Sequence, residues 1–220
     1  MKCFVLNGWA ASPHAWDLCP FAREADAIFS YVDQLDGLPE RALEAADEVV
    51  LVGWSMGGSG ALRLACRYPE KVRALVLVAA TPRMMEDRAT GWRGMTDRRL
   101  DALRRGLELT HGEGFFGVPA GRPNPYLLDS GENLDRGLRY LTDVDLRAPL
   151  AALRDGGRSS NWPVAIFQAE RDGIVRAENA AFLKSVFPQA EVTVVPGSEH
   201  ALPVLIPELI DATVRRMLKI

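Results

Sequence analysis

A chain of 220 residues, 48% hydrophobic and 25% charged, has an ordinary globular composition and enough length to bury a large core, so one domain is the default. Its formal charge of -3 leaves no overall basic field, so nonspecific attraction to nucleic acid or anionic membrane is not expected. An acidic partner would need a local basic patch.

Cys3, Cys19 and Cys66 are odd in number, widely spaced and set in apolar runs, which fits reduced, packed thiols better than a disulfide framework or a zinc site. The opening MKCFVLNGW has too short an apolar run for a signal-peptide core, and no later stretch approaches membrane-span length. A cytoplasmic location is the expectation.

In chain order, strands are expected at CFVL (3–6), AIFSYV (27–32), EVVLVG (48–53), RALVLVAA (73–80), PVAIFQ (163–168) and AEVTVV (190–195). Each is an unbroken or nearly unbroken apolar run, the pattern of a strand buried on both faces. Between and after them PERALEAA, SGALRLACRYPEKV, AENAAFLKSVF and PELIDATVRRMLKI repeat apolar residues at helical spacing. Alternation of this kind predicts an α/β fold: a mostly parallel sheet with helices on both faces.

The alternation lapses from Arg83 to Leu146, where no β run occurs and arginine-rich helical segments dominate. Residues 83–146 are therefore expected to be a helical insertion, with 1–82 and 147–220 forming the core. From Arg93 to Arg105 five arginines face only Asp97 and Asp101, a local excess of positive charge. That excess fits a solvated helix face as well as a binding patch.

Gly53-Trp54-Ser55-Met56-Gly57 has the G-x-S-x-G spacing, between a buried strand and a helical pattern. A serine on so sharp a strand-to-helix turn presents its hydroxyl, while the helix N-terminus favours negative charge developing beside it. Ser55 is thus the candidate nucleophile rather than a mere N-cap. A hydroxyl needs a general base, and that base needs an orienting acid. Of the three histidines, His200 in PGSEHALP lies after the last strand, where the order Ser, Asp, His would place it. His14 and His111 come too early and read as surface or pocket-wall residues. Glu170 and Asp172 in FQAERDGIV compete as the acid, and the D-G turn favours Asp172. The oxyanion should be met by the backbone N–H of Met56 and, from the loop NGWAAS, that of Trp9, whose indole would also wall the pocket.

With these residues in view the chain resembles the α/β-hydrolases, and within them the pimeloyl-acyl carrier protein methyl ester esterases of biotin synthesis. NGWAASPHAW is similar to that family's oxyanion loop, GWSMGGSGALRLACRYPEKVRALVLVAATP to its elbow, helix and next strand, and LRYLTDVDLRAPL to the return from its lid; ERDGIV and GSEHALP resemble its acid and histidine loops. The resemblance implies hydrolysis of the methyl ester on a pimeloyl chain carried by an acyl carrier protein, with Ser55 attacking, His200 moving the proton and Asp172 steadying His200. It implies carrier contact through lid arginines, the candidates being Arg93, Arg98, Arg99, Arg104 and Arg105. It also implies an apolar acyl lining, for which Trp9, Trp54, Met84, Met85, Trp92, Phe115 and Phe116 are the candidates. No metal or organic cofactor is implied.

Three features depart from the family pattern. Asn7 stands where a histidine usually precedes the oxyanion Gly-Trp, the chain starts at that strand without the preceding hairpin, and residues 33–48 are short. A sheet of about six strands is the consequence. A small-molecule carboxylesterase or thioesterase with the same three residues is the rival reading, and a non-catalytic ligand receptor on this fold is another.

Overall fold

The structure is a computed structural model, and it describes residues 1–110, 118, 121–128, 131–158 and 161–219. Six strands, β1 (Lys2–Leu6), β2 (Ala27–Phe29), β3 (Val49–Trp54), β4 (Val72–Val78), β5 (Val164–Ala169) and β6 (Glu191–Val195), form one sheet. Their order is β2-β1-β3-β4-β5-β6 and every pairing is parallel. The predicted α/β architecture is the one found.

Two cores follow from the period of two along each strand. Phe4 and Leu6 of β1, with Leu51 of β3 and Leu75 and Leu77 of β4, face α2 (Leu38–Glu44), α3 (Met56–Arg67), α6 (Arg147–Asp155) and α7 (Glu178–Val186). Cys3, Val5, Val50, Val52, Val76 and Val78 face the other way, onto the 3₁₀ turns at Pro13–Trp16 and Pro20–Arg23 and the C-terminal helices α8 (Leu202–Leu205) and α9 (Pro207–Met217). Burial pushes the thiols of Cys3 and Cys19 up to about 12, as befits inert packing groups.

Two expectations need correction at the sheet edges. AIFSYV is strand only to Phe29, because Ser30 turns the chain and caps α1 (Tyr31–Leu35): the Asp33 N–H donates to Ser30 Oγ while the Ser30 N–H donates to Asp33 Oδ2. β6 is not buried on both faces either. It is an edge strand, with Val192 and Val194 exposed.

Between β4 and β5 the chain builds α4 (Asp97–Thr110) and α5 (Gly131–Asp143) before returning into α6. Where it leaves and returns, the Leu146 N–H donates to Pro82 O (2.9 Å) and Arg83 and Asp145 pair as a bridge. Arg147 holds the crossing: its guanidinium lies 2.7 Å from Asp87 Oδ2 and 2.7 Å from Asp145 Oδ2, donates to Thr90 Oγ1, and stacks over Trp92. These charge-assisted bonds hold the carboxyls of Asp87 and Asp145 down to about 2. Among the described residues no helix is long and apolar enough to cross a membrane.

Candidate active site

The sheet order reverses between β1 and β3, since the chain leaves β1 for β2 on one side and resumes at β3 on the other. A crevice opens at the carboxyl ends of such a strand pair, and ligands of open α/β sheets bind there. Gly8 and Trp9 follow β1, and Ser55 follows β3.

Ser55 sits at φ 57°, ψ −118°, a conformation that a residue with a side chain holds only when its surroundings impose it. They do so here. Its N–H donates to Val78 O (2.9 Å), its carbonyl accepts from Gly58 and Ser59 at the start of α3, and glycines flank it at two residues either way. A Cβ on Gly57 would strike the carbonyls of Leu6 and Asn7, and one on Gly53 would strike the Gly57 backbone. The motif's glycines therefore let β1, β3 and α3 meet in backbone contact beneath the hydroxyl.

Ser55 Oγ lies 2.8 Å from His200 Nε2, and His200 Nδ1 lies 2.8 Å from Asp172 Oδ2. The side chain of Asp172 is fully buried, and its other oxygen accepts from the N–H groups of Ile174 and Val175, both at 2.8 Å. With each oxygen engaged, the carboxylate is fixed in direction. His200 is braced from outside by Trp54, whose indole N–H donates to the His200 carbonyl (3.0 Å) while the rings lie 5.8 Å apart. Glu170, the rival acid, turns elsewhere and accepts from the Gly197 N–H (2.7 Å), shaping the histidine loop. His14 pairs with Asp17 on the surface, and His111 lies outside the described residues.

Met56 is the first residue of α3, so helix geometry leaves its N–H without a partner inside the helix. Trp9 sits in a loop organised by Asn7. That asparagine is fully buried and uses its whole amide: Nδ2 donates to Ala11 O (3.1 Å) and Ser12 O (2.5 Å), and Oδ1 accepts from Gly8 N–H (3.1 Å) and Trp16 Nε1–H (3.2 Å). A neutral imidazole has one donor and one acceptor and could not make all four. The departure at this position thus comes with its own network.

The model of the alpha/beta hydrolase fold family matches residues 28–205, spanning the serine turn, the acid loop and the histidine. The chain belongs to that family. Among curated proteins it is similar to the pimeloyl-[acyl-carrier protein] methyl ester esterase of Photobacterium profundum, at 29% identity over 98% of this chain and 93% of that protein. The enzyme of that name from Vibrio campbellii is 28% identical over 90% of this chain and 86% of its own length. Among solved structures, an esterase (EaEST) from Exiguobacterium antarcticum superposes with a TM-score of 0.75 at 20% identity, covering 100% of this chain and 92% of that one. A bromoperoxidase from Bacillus anthracis gives 0.71 at 19%, covering 100% and 92%. At such identity these two structures speak for the fold alone.

In this hydrolase chain a cavity of about 290 Å³ opens beside Ser55 and His200. Of the predicted lining, Trp9, Trp54 and Met84 are on its wall. Met85 is not; it is buried behind, clustered with Met56, Met95 and Val175. Trp92 is displaced further: its ring meets Phe182 edge-on, its indole N–H donates to Arg83 O, and Arg147 covers its face. Phe115 and Phe116 lie outside the described residues. The walls that went unpredicted include Met95, Leu100, Leu103, Leu127 and Leu141 from the β4–β5 segment, Ile174 and Glu199 from the loops beyond β5 and β6, and Val204 and Leu205 from α8. Leu100 and Leu103 carried a signal, being apolar residues three apart among the arginines of α4.

Of the arginines, Arg104 is paired with Glu108 (3.2 Å) and Asp135 (3.1 Å), and Arg93 lies 3.7 Å from Glu178. Arg99 joins Arg88, Arg93 and Arg176 around a groove beside Trp92. Arg98 and Arg105 are exposed on α4.

Proposed function

We propose that this hydrolase-fold chain is a serine carboxylesterase that removes the methyl group from the methyl ester of a pimeloyl chain carried by an acyl carrier protein, freeing the carboxylate in biotin precursor synthesis. The observation that carries the chemistry is the line Ser55 Oγ, His200 Nε2, His200 Nδ1, Asp172 Oδ2, with 2.8 Å at each contact, facing an apolar cavity. Similarity to the pimeloyl-[acyl-carrier protein] methyl ester esterases supports the substrate.

Each group then has a task. His200 Nε2 accepts the Ser55 proton as Oγ adds to the ester carbonyl, and Asp172 holds the tautomer that leaves Nε2 free to accept. The N–H groups of Met56 and Trp9 meet the oxyanion. Collapse expels methanol with the proton from His200, and water, deprotonated by the same nitrogen, hydrolyses the acyl-enzyme. Residues 83–146 act as a lid whose leucines and methionines close over the acyl chain, and the arginines of α4 face the acidic carrier.

Intact-protein mass spectrometry of methyl-pimeloyl carrier protein tests this directly. Wild type should remove one methyl group, and Ser55→Ala should lose at least about 10⁴-fold in rate. Cleavage of a small chromogenic ester with no loss from the carrier-bound ester would leave a small-ester carboxylesterase instead.

A further inference from the structure

The loop after β1 is held from two sides. From the core comes the amide of Asn7, described above. From the other side residues 124–128, part of the segment between β4 and β5, run along the loop. The Leu128 N–H donates to Ala10 O (2.7 Å), the Ser12 N–H to Tyr126 O (2.8 Å) and the Ser12 hydroxyl to Pro125 O, while Ala11 and Leu127 pair as an antiparallel bridge. A little further on, the Trp9 indole N–H reaches Leu134 O in α5 (3.0 Å), and Gly137 lies so close that a Cβ there would strike the indole.

Ala10, at the middle of these bonds, has φ 60°. Left-handed backbone is costly for a residue with a side chain and persists where neighbouring bonds over-determine it. Most of the bonds from 124–128 run from backbone to backbone, so they set the path of the main chain and not merely a side-chain rotamer. An oxyanion donor is useful only when its N–H points at the position where the negative charge develops. Removing the bonds to Ala10 and Ser12 frees Ala10 to leave the left-handed region, and the adjacent Trp9 moves with it.

We infer that residues 124–128 are a positioning strap for the oxyanion loop, so that the returning half of the insertion sets the Trp9 N–H and thereby the rate of turnover, beyond its part in walling the pocket. The inference rests on the serine hydrolase reading above. Ser12 and Leu128 are positioning residues in it; neither lines the cavity.

The test uses the full chain with Ser12→Ala, which removes the hydroxyl bond, and Leu128→Pro, which removes the N–H donated to Ala10. With a small chromogenic ester, each should lower kcat about tenfold or more while KM stays within about twofold. Each should also weaken a trifluoromethyl ketone, which adds to Ser55 and needs the oxyanion donors, by the same factor as kcat. Amide hydrogen exchange over residues 9–12 should quicken in both. A kcat within about twofold of wild type, a loss confined to KM, or unchanged exchange in the loop would overturn the strap. Where Leu128→Pro fails to fold, Ser12→Ala decides. Failure of the hydrolase reading has a different signature: wild type without ester turnover, or Ser55→Ala as active as wild type, with the exchange difference intact.

Discussion

Ser55 occupies a backbone conformation that costs of the order of 1–3 kcal/mol for a residue with a side chain, and glycine would adopt it freely. Replacing it separates strain from chemistry. Ser55→Ala keeps the Cβ and the strain, so it should abolish turnover with little change in Tm. Ser55→Gly should abolish turnover equally yet gain about 1 kcal/mol after the added entropy of an unfolded glycine, raising Tm by about 2–4 °C in a chain of this size. Calorimetry on the three proteins checks it, and a Ser55→Gly chain no more stable than Ser55→Ala would mean that the turn is not strained. Asn7 makes the opposite kind of point. Its type was visible in the sequence, but that its amide would meet two carbonyls and two N–H groups was not, because Ala11, Ser12 and Trp16 reach it only once the loop folds back. The candidate serine, acid and histidine were legible for a different reason: Ser55 and Asp172 follow strands that burial made conspicuous, His200 follows the β-branched run of β6, and a parallel sheet brings strand ends together at one edge.

Among the elements, charge gathers where the chain leaves β4 and returns into α6. Arg147 serves Asp87, Asp145, Thr90 and the face of Trp92 at once, with only 19% of its side chain exposed. Arg147→Met should lower Tm and loosen residues 83–96. The pH dependence has a definite sign. Carboxyls held down to about 2 stabilise the folded state above their ordinary value near 4, and that contribution disappears as pH falls from about 4 through 2. The gap in Tm between wild type and Arg147→Met should therefore be full at pH 6 and narrow steadily toward pH 2; a gap independent of pH would assign the effect to packing on Trp92 alone. This cluster also explains why Trp92 was misjudged. A tryptophan amid glycine and arginine gave no periodicity to place it, and the partners that turned it from the cavity, Phe182 and Arg147, lie far along the chain. The end of β2 was missed although a signal was present, since Ser30 and Asp33 already stand at capping-box spacing.

For the molecule as a whole, a net charge of -3 offers no overall attraction to the acidic carrier of the proposed reaction, so under that proposal attraction has to come from one face. The arginines between residues 93 and 105 do not contribute equally to it. Arg104 is already neutralised by Glu108 and Asp135, and Arg93 faces Glu178, whereas among the described residues Arg98 and Arg105 are exposed and make no ion pair. Arg98→Glu and Arg105→Glu should each lower kcat/KM on carrier-bound ester by about tenfold at low salt, and the deficit should shrink as salt approaches 1 M, where screening acts within about 3 Å. Small esters, which never meet that face, should be cleaved as by wild type. Arg104→Glu is the internal contrast: it sets a third carboxylate against Glu108 and Asp135, so it should cost stability in addition to any effect on the carrier. Steady-state rates on the two substrates across a salt series decide the matter. Equal losses on both would move the arginines from carrier docking to holding α4 over the cavity, where Leu100 and Leu103 of the same helix already form part of its wall.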